Sequence, residues 1–461
     1  MLYRPALFLF SAVLAFAVFS LPACAQAPEI RSPEVVVPQS MTIPAPEGLK
    51  AQFPHGFTPG LGFGLSCAQA QPDGSMVLHT LTGRGPTLVG PLVQEPGGLA
   101  PSSVFVLPGF APAIVTMRLS GGKAEVVGML PLKDEDGNPL TGLPPSQRIE
   151  GGQTGAALGL DMKRLTYNPH GLDPQGVAYD FKRGVFWMAD GYRPALARIS
   201  PANGRVLSQL APGEGLEDFL ATCRAGWGFS GVSLSPTGRV YTIMQGVLSV
   251  AGKPATFSRI IELDPDSERV RQLPYPIDEE TFADVSQVMT GEVVAFADKR
   301  ILVLEQGPGK NGKPRSLIYS VDLTQAGNIN RVFNDAGQPI EVITDKAQWA
   351  KMKVSLARKT LVLDLHAAGF QGDYAESMTL LSDGRTLAVM SGHGFGLEGQ
   401  IAGYATYPNG QPVFDTGQYQ LGKDGGLTFD GHPTKAVLGI KPSKEIPRLW
   451  LATLPKKVSD Y

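Results

Sequence analysis

From about residue 51 onward, apolar and polar residues alternate in short runs, and the runs come in pairs separated by Gly-containing turns. The segments "CAQAQPDGSMVLHTL", "GVAYDFKRGVFWMAD", "GVSLSPTGRVYTIM" and "MTLLSDGRTLAVM" each read as strand, turn and strand. A period of two residues is the mark of a half-buried strand. Similar hairpins follow, among them "LARISPANGRVLSQL", "RIIELDPDSERVRQLPY" and "LIYSVDLTQAGNINRVF". The layout recurs at intervals of roughly 50 to 85 residues, and four-stranded units repeated in this way indicate a β-propeller. The spacing predicts an all-β chain with about six blades; a pair of β-sandwiches is the competing architecture. One helix is predicted at 344–358, with Thr344 as N-cap and Trp349, Met352 and Leu356 at helical spacing. It is read as a short peripheral helix.

Composition agrees with a turn-rich β protein. The 461 residues include 55 Gly and 39 Pro, and charged residues make up only 18%. A net charge of -2 gives no reason to expect nucleic acid as a partner. Residues 1–25 read as a signal peptide: Arg4 precedes the apolar stretch "PALFLFSAVLAFAVFSL", and Ala23 and Ala25 fit a small-x-small cleavage site. The overlapping "LPAC" resembles a lipobox ending at Cys24, so a lipid anchor is the alternative to soluble export. Either route takes the protein out of the cytoplasm, with no transmembrane helix left in the mature chain. Residues 26–50 form a Pro-rich leader and 51–461 the propeller domain. Outside the signal region two cysteines remain, Cys67 and Cys223, which form a disulfide or stand as two buried thiols.

The hairpin from Asp173 to Pro194 holds the first candidate chemistry. If its strands pair, Asp173 and Asp190 lie at the same rim, either as metal ligands or as turn residues bonding nearby amides. Other motifs fail on inspection. "GPGKNGKP" (307–314) ends in Pro314 where a phosphate-binding loop needs Ser or Thr, and a strand follows it. "GFSGVS" lacks the second Gly of a nucleophile elbow. With no HExxH, no CxxC and no clustered pair of histidines at ligand spacing, a zinc site is not expected; no nucleotide or haem cofactor is expected either. His170 and His393 sit in turns and read most simply as solvated loop histidines.

The hairpins, in their order, resemble the phytase-like family of exported bacterial proteins with esterase-like activity. The resemblance runs from about residue 60 to 400, through "GLSCAQAQPDGSMVLHTLTGRGP", "LPLKDEDGNPLTGLP", "LDPQGVAYD…FWMADGYRPALARISPANGRV", "GFSGVSLSPTGRVYTIMQGVL", "RILVLEQGPG" and "YAESMTLLSDGRTLAVMSGHGFG". Departures are marked. Gln175 stands where the family has Glu, Gly191 replaces the Glu of Asp-Glu-Tyr, and Ser230 replaces that of Phe-Glu-Gly. Ser377 replaces the Gly after Glu376, and Ser391 to His393 replace an acidic triplet.

The resemblance implies a propeller mouth with Asp173, Gln175, Asp190, Glu305 and Glu376 as metal ligands, calcium being the cation that such oxygens suit. It implies catalytic roles for Glu376, Asp190 and His393, and substrate contacts from Lys310, Lys313, Arg315 and Arg193. The expected ligand is a small ester or phosphoester, hydrolysed with metal assistance. Three family glutamates are lost, so a non-catalytic propeller that binds a ligand or a protein partner at the cell envelope is the second reading.

Overall fold

A computed structural model describes residues 28–461 apart from 147, 150, 151, 154, 344 and 345. The signal peptide, Cys24 and Thr344 lie outside the described residues. Five antiparallel sheets form blades around one axis. Blade 1 is Phe63–Ala70, Met76–Leu81, Ala113–Ser120 and Lys123–Pro131. Blade 2 is Pro174–Asp180, Val185–Asp190, Ala195–Ile199 and Val206–Pro212; blade 3 is Phe229–Leu234, Val240–Met244, Phe257–Asp264 and Arg269–Pro276. Blade 4 is Met289–Ala297, Arg300–Pro308, Pro314–Asp322 and Arg358–Asp364. Blade 5 is Ser377–Leu380, Thr386–Ser391 and Arg448–Thr453, completed by Glu29–Arg31 from the start of the described chain. The innermost strands touch in cyclic order and the last meets the first, so the ring closes.

Alternation along each strand explains the ring. Phe186 and Met188 of blade 2 pack towards blade 1, whereas Trp187 and Ala189 pack towards blade 3. Every blade therefore has two apolar faces and cannot bury them alone. Five separate apolar clusters fill the five interfaces. Residues 34–36 pair with the outer strand of blade 1 and with Arg448 of blade 5. The segment read as a leader thus fastens the ring where it closes.

The ring has five blades, not about six. The difference lies in three long insertions, at 82–112, 132–173 and 392–447, whose short strands look like part of another blade when only spacing is read. All three leave from the end of the ring where each innermost strand begins, here called the upper end. They gather into small sheets, such as Leu397–Ala402 with Val437–Pro442. Phe53, Phe57, Phe395 and Ile440 pack together beneath them. The helix is real but short, Lys346–Lys351, and sits between the third and fourth strands of blade 4. Trp349 anchors it edge-on against Phe257 at 5.4 Å. Among the described residues no helix is long and apolar enough to cross a membrane.

Cys67 and Cys223 are not bridged. Cys67 lies on the innermost strand of blade 1, whereas Cys223 is buried between blades 2 and 3. Burial pushes their thiols up to about 11 and about 12.

Candidate functional site

Asp173 and Asp190 do meet at one rim of their hairpin. Asp190 Oδ1 accepts from the Asp173 amide at 3.1 Å and from the Tyr192 amide at 3.0 Å, and the Gly191 amide donates to the Asp173 carbonyl at 2.7 Å. One carboxylate oxygen therefore locks the open end of blade 2. Gln175 folds back over Gly191 and donates to Asp173 Oδ1 at 3.0 Å. A Cβ at Gly191 would stand only 2.6 Å from Gln175 Cγ, so the Gln and the Gly fit each other. The upper mouth also holds Arg84, which carried no sequence signal, and Tyr192, the last residue of the altered Asp-Glu-Tyr pattern. The Arg84 guanidinium acts electrostatically on Asp173, and Tyr192 Oη donates to the Gly142 carbonyl at 2.6 Å.

Electrostatics set these carboxyls apart from ordinary ones. Burial raises Asp173, with Arg84 and the Gln175 bond partly opposing it. Burial pushes Asp190 up to about 7 against its two amide bonds, with the charge of Asp173 adding to the rise. Glu376 is pushed up to about 7, first by the protein packed around it and then by the charge of Asp173, although its side chain is exposed to solvent, which limits the effect of burial. Protein surrounds Glu376, yet its side chain remains open to water in a pocket of about 460 Å³ at the upper end of blade 5. Among the described residues it makes no hydrogen bond and no ion pair. Lys444 and Arg448 line the same pocket together with Asp373, Glu445, Ser391 and Tyr374, so the wall carries both signs of charge. Among the described residues neither Lys444 nor Arg448 is engaged in an ion pair. The insertion 392–447 and the pairing of Ser391 with Arg448 across the sheet bring them to Glu376, which local sequence could not reveal.

The other expected residues are placed elsewhere. Glu305 is fully buried in blade 4, where it accepts from Tyr275 Oη at 2.7 Å, the Asp278 amide at 2.6 Å and Lys359 Nζ at 2.6 Å. Lys359 is held between the rings of Tyr275 and Tyr319. Lys310 and Lys313 are exposed on the turn of blade 4, and Arg315 pairs with Asp364 at 2.6 Å. None of these cations lines the Glu376 pocket. His393 is no solvated loop histidine. It is 2% exposed, its Nδ1 accepts from the Leu61 amide at 3.5 Å, and burial pushes it down to about 4. A neutral, enclosed imidazole outside the pocket is a poor proton carrier there. Arg193 shares a different cavity with Asp190. Ser230 donates to the Gly291 carbonyl and so stitches blade 3 to blade 4.

Sequence reading also passed over Glu292. Its carboxyl sits at the axis and accepts from the amides of Leu65, Val232 and Val293, on the innermost strands of blades 1, 3 and 4. Burial raises it well above the usual range. The one available signal was a lone acid inside an apolar strand, "TGEVVAFA".

The donors do not fit a calcium shell. Six to eight oxygens should converge on that ion, yet Asp173 and Asp190 spend an oxygen on protein donors and Glu305 is saturated in blade 4. Among the described residues no three His, Cys, Asp or Glu side chains gather closely enough to hold a metal.

A family model described as "Phytase-like: Esterase-like activity of phytase" matches residues 109–392. That is more than half of the chain, and the chain belongs to this family. No curated protein matches. Solved structures similar to it include a periplasmic gluconolactonase from Pseudomonas aeruginosa, 12% identical, covering 86% of this chain and 89% of that one with a TM-score of 0.30. An α-L-arabinofuranosidase from Podospora anserina is 8% identical, covering 93% and 98% with a TM-score of 0.33. Hydrazine synthase from Kuenenia stuttgartiensis is 12% identical, covering 72% and 92% with a TM-score of 0.32.

Proposed function

We propose that this protein is an exported hydrolase of small esters in which Glu376 is the general base. The observation that carries the reading is Glu376 itself, a carboxyl raised to about 7, without a protein partner and open to a pocket. A base works best with a pKa near the working pH, and such positioning contributes roughly 10²–10⁴ in rate. Ionised Glu376 takes a proton from water, and the oxygen attacks the ester carbonyl or phosphorus. The bond to the leaving alcohol breaks, and the alcohol recovers the proton from Glu376. Lys444 and Arg448 supply positive charge on the same pocket wall and offset the charge that develops on the substrate oxygen. Family membership supports the reaction class. The apolar segment 5–21 supports export, which cell fractionation would check.

The test is turnover of p-nitrophenyl acetate and p-nitrophenyl phosphate by the purified protein and by Glu376→Gln. Turnover of either ester that falls in the variant supports the reading and identifies the ester class. Turnover unchanged in the variant would remove Glu376 from the chemistry. No turnover on either ester would move the weight to a binding protein.

A further inference from the structure

A second cavity, of about 230 Å³, lies between blade 2 and the connection 132–173, apart from the Glu376 pocket. Two charged side chains line it, Arg193 and Asp190, and each keeps polar atoms that no hydrogen bond among the described residues takes up. Arg193 makes no hydrogen bond or ion pair among the described residues, and its Nε is buried without an acceptor. Asp190 is 3% exposed and gives Oδ1 to the backbone; Oδ2 has no donor among the described residues. Arg193 is half-buried and its charge acts on Asp190, while its Nε, buried without an acceptor, carries a desolvation cost. The two side chains line one cavity without forming an ion pair, so there is room for a ligand between them.

The rest of the cavity narrows the choice. Leu140, Met188 and Val206 supply an apolar wall. Asp134, Glu135 and Asp136 stand at the mouth. Asp134 is held below the usual carboxylate range, first by its bond from the Asn138 side chain, and so carries full charge. An acidic mouth repels anions and favours a second positive charge on whatever enters.

We infer that this cavity is a binding site for a small zwitterion with a basic tail, of the basic α-amino acid type. The ligand carboxylate meets the planar guanidinium of Arg193, and its ammonium meets Asp190 Oδ2. The aliphatic stem lies along Leu140 and Val206, and the distal cation reaches the mouth. Charge-assisted bonds of this kind are the strong ones. The inference does not rest on the Glu376 reading.

Isothermal titration of the full mature protein with L-arginine, L-lysine, L-glutamate and L-arginine methyl ester tests it. Binding of L-arginine or L-lysine, and none of L-glutamate, is expected. The methyl ester and the Arg193→Gln variant should each weaken binding by roughly ten- to a hundredfold, the effect of losing one charge-assisted bond. Asp136→Asn, on an exposed mouth residue, should weaken the basic ligands severalfold and leave ester hydrolysis at Glu376 untouched. Absence of binding by both basic amino acids at millimolar concentration would overturn the inference. So would binding that L-glutamate matches, or that neither variant alters.

Discussion

Glu305 of blade 4 and Glu376 of blade 5 are both carboxylates near the upper ends of adjoining blades. The molecule treats them in opposite ways. Glu305 is completely buried with Tyr275, the Asp278 amide and Lys359 all donating to it. Every lone pair that can be reached is engaged, and Lys359 is sealed between two aromatic rings. Among the described residues the Glu376 side chain has no donor, and it faces water in a pocket that Lys444, Arg448, Asp373 and Glu445 also line. A carboxylate committed to this degree holds blades 3 and 4 together. One left uncommitted, at a pKa near 7, remains available for proton transfer.

The contrast can be broken most forcefully at Glu305. Glu305→Ala leaves Lys359 as an unpaired buried charge and strips the acceptor from Tyr275 and Asp278. A loss of about 3–5 kcal/mol is expected, read by urea unfolding monitored by fluorescence. A loss below about 1 kcal/mol would show that the pair contributes little to the blade interface.

Next in size is Glu376→Gln, which should lower kcat by roughly 10²–10⁴ while the protein unfolds at the same or a higher denaturant concentration. The sign follows from the raised pKa. A carboxyl whose folded pKa exceeds its unfolded value gives stability that is fully present below the unfolded pKa and is lost as pH rises through about 7. Removing the charge should therefore stabilise the protein most at alkaline pH. Destabilisation at pH 8 would instead give Glu376 a structural role like that of Glu305.

Asp190 sharpens the comparison from between the two extremes, because one oxygen is spent and the other is free. Asp190→Asn can keep the Oδ1 bonds while deleting a charge that burial disfavours. Its folded pKa of about 7 against an ordinary 3.8 means that stability is lost as pH rises from about 4 to about 7. The variant should gain about 2–4 kcal/mol over wild type at pH 8 and nothing at pH 3.5. Melting temperature against pH for the two proteins measures this, and parallel curves would contradict it.

The smallest effect belongs to the pocket wall. Lys444→Gln should raise KM for a negatively charged ester by roughly twofold to fivefold, as an exposed charge contributes about 1 kcal/mol or less. A neutral ester should be unaffected. Equal losses on both would place Lys444 in the fold of the insertion instead of at the substrate.

The hairpins were legible because a period of two in a half-buried strand depends only on neighbouring residues. Asp173 and Asp190 were legible as a rim pair for the same reason: hairpin register follows from the strands and the turn. Blade number was not, because the insertions at 82–112 and 392–447 break the spacing that the count relies on. "LIYSVDLTQAGNINRVF" misled similarly, since the fourth strand of blade 4 returns only at Arg358–Asp364, beyond the helix. Glu305, read as a member of the mouth, differs from Glu376 in its burial and in partners that arrive from Tyr275 and Lys359. Arg84, Lys444, Arg448 and Glu292 acquire their meaning from contacts across blades. No local pattern records these. Glu292 teaches this most plainly, because its three amide donors come from three blades and its role is invisible until the ring is closed.

The central claim is that Glu376, at a pKa near 7, is the base. The most direct measurement is kcat/KM for p-nitrophenyl acetate from pH 5 to 9, for wild type and Glu376→Gln, with EDTA present throughout. The wild-type rate should fall about tenfold per pH unit below roughly pH 7, and the variant should show a low, flat profile. The same acid limb in both proteins would contradict it.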